Sequence, residues 1–204
     1  VGYLALNANQ TGHSNTALGH GALKTCTTAV NNSVAVGYDA LTLASTGSIN
    51  TAVGALCGDA ISGGTGNTLM GTSAGGAITT SAANTAIGVN CLDFHDTGIS
   101  PYYGGSTAVG HYAGTALGDA DGFTAIGKDA GLVHETGNNC TFVGHYAGKT
   151  SNGQWGNTMI GSGAGATCTT SNGSTFVGNM AGYNSTGGQN DAFGYTALQN
   201  CAGS

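Results

Sequence analysis

The chain repeats one short motif from end to end at a nearly constant interval. Segments such as NTALGHGAL at Asn15–Leu23, SVAVGYDAL at Ser33–Leu41 and STFVGNMAG at Ser174–Gly182 share a central glycine, which we call the anchor glycine. The anchors are Gly2, Gly19, Gly37, Gly54, Gly71, Gly88, Gly110, Gly127, Gly144, Gly161, Gly178 and Gly194. Most are 17 residues apart, and the exceptions are 18, 22 and 16. This periodicity predicts one repeat domain over residues 1–204 with twelve units, because self-similarity at a fixed period is the signature of a solenoid.

Each position of the repeat carries one kind of side chain. In most units Asn or Ser lies four residues before the anchor, Thr three before and Ala two before, and a sizeable apolar residue such as Val53 lies one before; we call these the amide, threonine, alanine and aliphatic columns. Leu69, Phe142, Met159 and Phe176 are larger versions in the alanine column. Ala or Cys follows three after the anchor and Leu or Gly four after, before a variable polar stretch.

These columns predict an all-β fold. A run such as NTAVG has strand length, and its Thr and Val favour strand. We expect the segment after the anchor to form a second short strand or arm, and the polar stretch to form the return loop. One turn of chain per 17 residues predicts a parallel β-solenoid, or β-roll, of about twelve coils. Coils stacked about 4.8 Å apart would align Asn50, Asn67 and Asn84 in a ladder of amide hydrogen bonds.

The strand motif is apolar on both of its faces, and this bears on self-association. Side chains alternate along a strand, so the threonine and aliphatic columns share one face and the alanine column takes the other. A lone solenoid has only one interior, and a strand with two apolar faces needs a second buried surface. A further copy of the chain about a symmetry axis supplies it. The alternative is that the alanine face is only a mildly apolar surface.

Composition excludes several classes of function. Three Lys and Arg against nine Asp and Glu cannot neutralise a phosphate backbone, which excludes nucleic-acid binding. No apolar run approaches the roughly 20 residues of a membrane helix, so we expect no membrane insertion. With 39 glycines and few Glu, Lys or Arg, an α-rich fold is excluded. There is no phosphate-loop motif and no pair of carboxylates in a recognisable cleft, so we expect neither catalysis nor a cofactor.

The motif [NS]TA(V/I/L)Gxx(A/C)(L/G) resembles the head repeats of trimeric autotransporter adhesins of the YadA-like type. It is also similar to the NTAxGxxAL repeats in the shafts of phage tail fibres. The resemblance covers essentially the whole chain and implies a left-handed parallel β-roll packed as a homotrimer around a threefold axis. This sequence departs from the adhesin pattern by having a longer unit, and the extra residues fall in the return loop.

The one unit that is much longer than the others contains the best candidate for a binding site. The 22-residue unit contains an insertion at residues 93–105, DFHDTGISPYYGG, with the only proline of the chain. Insertions in a solenoid map to loops on one face, often the binding face. Aromatic and acidic side chains together suit a cell-surface glycan, through stacking and hydroxyl hydrogen bonds. The candidate ligand-binding residues are Asp93, Phe94, His95, Asp96, Tyr102 and Tyr103. The alternative is a tolerated surface loop that packs its own aromatic side chains.

Other side chains that could bind a metal or form a disulfide have simpler interpretations. His20, His111 and His145 directly follow anchors, and we interpret this as an exposed position of the repeat and not as a metal site. Asp119–Gly122 is only a fragment of a calcium loop, so no metal site is predicted there. Cys57 and Cys91 replace Ala three residues after their anchors and are interpreted as small buried apolar residues. No CxxC motif indicates zinc, and no intrachain disulfide is evident.

These observations favour a structural and adhesive extracellular fibre segment, on a cell surface or a virion, that attaches to a host or surface through multivalent contacts. One alternative is a self-assembling extracellular filament. A second is an ice-binding solenoid with a flat threonine ladder; the threonine column shares its face with the aliphatic column, which indicates burial and argues against this alternative.

Overall fold

The computed structural model describes residues 1–26, 30–93, 104–116, 120–134, 136–151, 153–169 and 172–200. The chain forms two compact units, Val1–Gly105 and Ser106–Ser204. Each unit is a parallel β-solenoid, and the described ranges contain strands and turns but no helix. The all-β parallel solenoid predicted from the repeat is therefore confirmed.

Eleven short strands build the two units, and each strand ends one residue before an anchor glycine. The strands are β1 (Thr16–Leu18), β2 (Val34–Val36), β3 (Thr51–Val53), β4 (Thr68–Met70) and β5 (Thr85–Ile87) in the first unit, and β6 (Thr107–Val109), β7 (Thr124–Ile126), β8 (Thr141–Val143), β9 (Thr158–Ile160), β10 (Thr175–Val177) and β11 (Asp191–Phe193) in the second. Within each unit successive strands pair in parallel and in register. Around Gly2 there is no strand, but the Gly19 N–H donates to the Val1 carbonyl at 2.8 Å.

The segment after each anchor is a run of tight turns; of the second short strand or arm that the sequence predicts there, the strand was wrong. Residues two and four after the anchor adopt left-handed backbone angles; Asp39 and Leu41 both have φ of 50°. A left-handed residue at every second position prevents an extended chain. The turns still join the coils, because the Leu41 N–H donates to the Cys57 carbonyl at 3.0 Å.

The coils touch backbone to backbone at the anchor glycines. Gly54 has φ of +146°, a conformation that side chains disfavour. A Cβ atom at Gly54 would come 2.3 Å from the carbonyl oxygen of Gly71 in the next coil. The strict anchor therefore reflects both a bend that glycine alone adopts easily and a contact that excludes any side chain.

The alanine column forms the interior of each unit. Ala35 and Ala52 are fully buried, and so are the larger residues Leu69, Phe142 and Phe176. The alternative that the alanine face is a mildly apolar surface was therefore wrong. The solenoid interior is thin, and small side chains fill it where two sides of one coil face each other.

Side-chain size is balanced across the interior of individual coils. A coil with Ala35 in the alanine column has Leu41 four residues after its anchor, whereas the coil with Phe176 has Gly182 at that place. A Cβ atom on Gly182 would lie 2.6 Å from the Phe176 ring, and one on Gly148 would lie 2.7 Å from the Phe142 ring. In these coils the glycine follows from the space that the opposite side chain takes, whereas at Gly58, opposite Ala52, a Cβ atom would instead lie 2.8 Å from Leu69 of the next coil.

Buried amides join the coils along the amide column, as predicted. Asn67 donates from Nδ2 to the Asn50 Oδ1 at 3.1 Å, and Asn84 donates likewise to Asn67 at 3.1 Å. Each Oδ1 also accepts from the backbone N–H of the following coil, at 2.9 Å in both cases. A fully satisfied ladder is needed because an unpaired polar group in this interior would be costly.

Phe123 and Cys140 interrupt the amide column in the second unit. Phe123 packs against His134 and Phe142, with ring centroids 5.2 and 5.1 Å apart. His134 is fully buried; its Nε2 lies 3.0 Å from the Gly137 carbonyl and its Nδ1 contacts the Ser151 carbonyl. Burial lowers the pKa of His134, although the two carbonyls favour the charged form.

The size balance predicts a rescue between two destabilising substitutions. Phe176→Ala opens a cavity and should cost about 3–5 kcal/mol of unfolding free energy. Gly182→Leu should also be strongly destabilising, because the added side chain collides with the Phe176 ring. The double variant recreates the Ala35 and Leu41 combination and should be more stable than either single variant. Urea unfolding of all four proteins checks this, and additive losses would contradict it.

The buried His134 predicts a loss of stability in mild acid. In the unfolded chain His134 binds a proton near the ordinary histidine pKa of about 6.5. In the folded state burial lowers the pKa of His134, so the proton binds only at a lower pH. Unfolding free energy should therefore fall below that pH, by up to about 1.4 kcal/mol per pH unit, relative to His134→Ile. Ile61 and Ile78 occupy the equivalent place in other coils, which makes isoleucine a suitable replacement. Thermal unfolding between pH 5 and pH 8 measures the difference in stability between wild type and His134→Ile. His13→Gln, at an exposed histidine, is the control. Parallel pH profiles for wild type and His134→Ile would contradict the prediction that His134 causes the loss of stability.

Candidate functional site

The threonine and aliphatic columns form an outward-facing sheet surface on each unit, which we call the strand face. In every strand the central residue is buried, and both of its neighbours are exposed or half-buried. Met70 is 50% exposed in the first unit and Ile126 is 40% exposed in the second. The second apolar face that the sequence predicts is therefore present, and in the single chain it lies on the outside.

The strand face is continuous within each unit and almost free of charge. Its threonine column contains Thr in nine strands, Val34 in β2 and Asp191 in β11, and its aliphatic column contains no charged or polar residue. The register of the strands places like residues side by side: Thr51 lies opposite Thr68 and Val53 opposite Met70. The surface is therefore a stripe of aliphatic side chains beside a stripe of threonine hydroxyl and methyl groups.

The residues that directly follow the anchors form an exposed line, which we call the post-anchor column. In the first unit this line begins with an aromatic stack: the His20 ring lies 5.4 Å from the Tyr3 ring and 5.2 Å from the Tyr38 ring. A hydrogen bond with Asp39, and then its charge, raises the pKa of Tyr38. His20, His111 and His145 are all exposed, so the interpretation of this position as an exposed one is confirmed.

In the second unit the post-anchor column and the turn after Gly144 together carry a group of basic and aromatic side chains, which we call the Tyr146 cluster. It consists of His111, Lys128, His145, Tyr146 and Lys149. The ammonium groups of Lys149 and Lys128 lie 4.5 and 5.9 Å from the Tyr146 ring centroid, and the His145 ring lies 3.7 Å from it. Sequence reasoning missed this cluster, although the signal was present: His111, Lys128 and His145 follow three successive anchors.

The insertion predicted as a ligand site is described only at its ends. Phe94, His95, Asp96, Tyr102 and Tyr103 lie outside the described residues. At one end the Asp93 carbonyl accepts from the Ala77 N–H at 3.0 Å. At the other end Gly104 pairs in parallel with Ala82. The glycan site at these residues stays a prediction.

Asp93 lies close to a second carboxylate across a glycine. A Cβ atom on Gly76 would come 2.5 Å from the Asp93 Oδ1 and 3.5 Å from the Asp59 Oδ1. Burial raises the pKa of Asp93, and burial together with the charges of Asp93 and Asp39 raises that of Asp59. Each carboxyl is therefore harder to ionise than an exposed one.

The described residues offer little to a metal ion or a small molecule. They contain no group of three or more His, Cys, Asp and Glu side chains that could hold a metal. In the calcium-loop fragment Asp119 lies outside the described residues, and the Asp121 Oδ1 accepts from the neighbouring Gly122 N–H at 2.9 Å. No pocket opens on the surface of the described part of the chain. Nor does that part contain a helix of the length and apolarity needed to cross a membrane.

Five cysteines are described, all are buried and none forms a disulfide bond: Cys26, Cys57, Cys91, Cys140 and Cys168. The interpretation of Cys57 and Cys91 as small buried residues is confirmed. Burial raises the pKa of Cys57 to about 12. A thiol that is both covered and protonated is a weak nucleophile.

Comparison of this chain with protein-family models, with curated proteins and with solved structures gives no match.

The buried thiols predict resistance to alkylation. In the folded protein at pH 8, Cys57 and Cys140 should stay unmodified by iodoacetamide, because burial removes access and raises the pKa of both thiols. The same protein in urea should react at every cysteine. Peptide mass spectrometry reads both states, and rapid native modification of Cys57 would mean that its coil opens readily.

Proposed function

We propose that this chain is a segment of a structural and adhesive extracellular fibre, displayed on a cell surface or a virion. In this proposal three copies of a left-handed, twelve-coil β-roll pack around a threefold axis, as in the adhesin heads and tail-fibre shafts whose repeats it resembles. The fibre carries no catalytic activity; it displays loops and exposed columns that attach to a host or a surface.

The single observation that carries the proposal is the strand face. Parallel sheets in proteins are normally covered on both faces. Here one face is the solenoid interior, and the other exposes Leu18, Met70 and Ile87 in the first unit and Ile126, Ile160 and Phe193 in the second. Aligned apolar side chains of this kind mark interaction surfaces when they are contiguous.

A second copy of the chain is the occupant that fits this face best. Its columns repeat at the coil spacing of about 4.8 Å, and a copy in register offers an identical ladder. The two columns contain one charge among the described strands, Asp191, so symmetric packing brings few like charges together. The threonine methyl groups fill space between aliphatic side chains, and the hydroxyls can bond across the contact.

Attachment through such an assembly relies on repetition. Each exposed column and each copy of the insertion would occur three times on one rigid fibre. Weak single contacts then combine, because linked binding events raise the effective concentration for the next one. A shallow surface without a described pocket suits this mode of binding.

The strand face predicts the oligomeric state. Light scattering of the purified chain should give three times its 19.7 kDa mass. The variant Ile126→Lys with Ile160→Lys should be monomeric, because two charges would be buried in the proposed contact. Ser162→Lys, on the exposed post-anchor column, is the matched control and should keep the wild-type mass. A monomeric wild type would overturn the threefold packing.

The same measurement separates the alternatives. Very large, growing species would favour the self-assembling filament. A monomer would favour an ice-binding solenoid, and one observation supports that candidate: the threonine column faces outward in the single chain, contrary to the burial that the sequence indicates. Thermal hysteresis of a monomeric wild type, lost in Thr124→Tyr with Thr158→Tyr, would establish ice binding.

A further inference from the structure

We propose that the Tyr146 cluster is a binding surface for an acidic polysaccharide. The inference deepens the attachment role proposed above and rests on it, but it uses residues that are separate from both the strand face and the insertion.

The first step of the argument is the distribution of positive charge. The chain has three Lys and Arg residues and a formal net charge of −6. Two of the three, Lys128 and Lys149, converge on one tyrosine ring in the second unit. The third, Lys24, lies in the first unit. In a chain so poor in cations, this local concentration provides the surface with the best charge complementarity to an anion.

The second step is how the cations are held. The Lys149 ammonium lies 4.5 Å from the Tyr146 ring centroid, where the ring attracts it without neutralising it. The Lys128 ammonium lies 3.4 Å from the Asp129 carboxylate, and the Lys128 side chain is 54% exposed. Both ammonium groups are therefore held in position and retain donors that can reach a carboxylate or sulfate oxygen.

The third step is the spacing of the donors. His111, Lys128 and His145 occupy three successive coils, and backbone hydrogen bonds fix that order: the His111 carbonyl accepts from Asp129 at 2.9 Å and the Lys128 carbonyl from Tyr146 at 3.1 Å. Successive donors are thus about 4.8 Å apart along the unit. A regular line of donors suits a linear polymer with an acidic group on each sugar better than a single small anion.

The fourth step is the shape of the surface. The described residues form no pocket that could bury a small molecule, and small ligands normally need burial of most of their surface. A polymer needs none, because it lies along the column and gains from many contacts. The exposed His111 and His145 rings also offer flat surfaces and N–H donors beside the ammonium groups.

The test measures binding of the full chain to polygalacturonate by isothermal titration at low salt. Lys128→Gln with Lys149→Gln should weaken binding at least tenfold, and Lys128→Arg with Lys149→Arg should keep it within about threefold. Lys24→Gln is the matched control and should bind as the wild type does. Thermal unfolding confirms that each variant is folded.

Two further probes decide the chemical class of the ligand. Dextran sulfate in place of polygalacturonate tells whether sulfate serves as well as carboxylate, and binding of either acidic polymer but not of neutral dextran supports the proposal. Equal binding of dextran, unchanged binding by the double Gln variant, or tighter binding of single-stranded DNA would overturn it. Light scattering on the same samples separates the two proposals: a trimer that binds no acidic polysaccharide refutes this inference alone.

Discussion

The contact between the backbones of successive coils at the anchor glycines governs the rest of this structure. Gly54 and Gly71 approach so closely that a Cβ atom on the first would lie 2.3 Å from the oxygen of the second. This proximity sets the register of the strands, and the register places every other column in line. The alanine interior, the amide ladder and the outward threonine and aliphatic stripes all follow from one residue without a side chain, repeated at a fixed interval.

The thin interior of the solenoid explains why so many of its buried side chains are small. A coil with so little space inside cannot accommodate a large side chain on both of its walls. The chain therefore places Phe142 opposite Gly148 and Ala35 opposite Leu41. Hydrogen bonds between coils and the buried amides add to the packing of these small apolar side chains.

Much of the fold could be predicted from the sequence because periodicity reports register directly. The solenoid, the strand positions, the amide ladder at Asn50, Asn67 and Asn84 and the burial of Cys57 were all visible in the columns. The turns after the anchors could not be predicted, because Asp39 and Leu41 adopt left-handed backbone angles that these residue types do not usually favour. Burial was expected for the threonine and aliphatic columns, yet in the single chain they face outward, because alternation shows that the two faces differ but not which one is inside. The proposed site at Lys128 and Lys149 required the coil geometry, because these residues occupy different positions of the repeat and meet only at the Tyr146 ring.

The orientation of the hydrogen bonds has a mechanical consequence. In each unit the strands lie across the axis, so the bonds between coils point along it. A pulling force along that axis is carried by every coil junction in series, and the junction with the fewest bonds opens first. In the second unit Phe123 supplies no side-chain hydrogen bond between coils and Cys140 supplies only a thiol donor to the Gln154 carbonyl, so we expect these junctions to open before one that is bridged by an amide. Under tension along its axis we expect such a unit to lengthen one coil at a time.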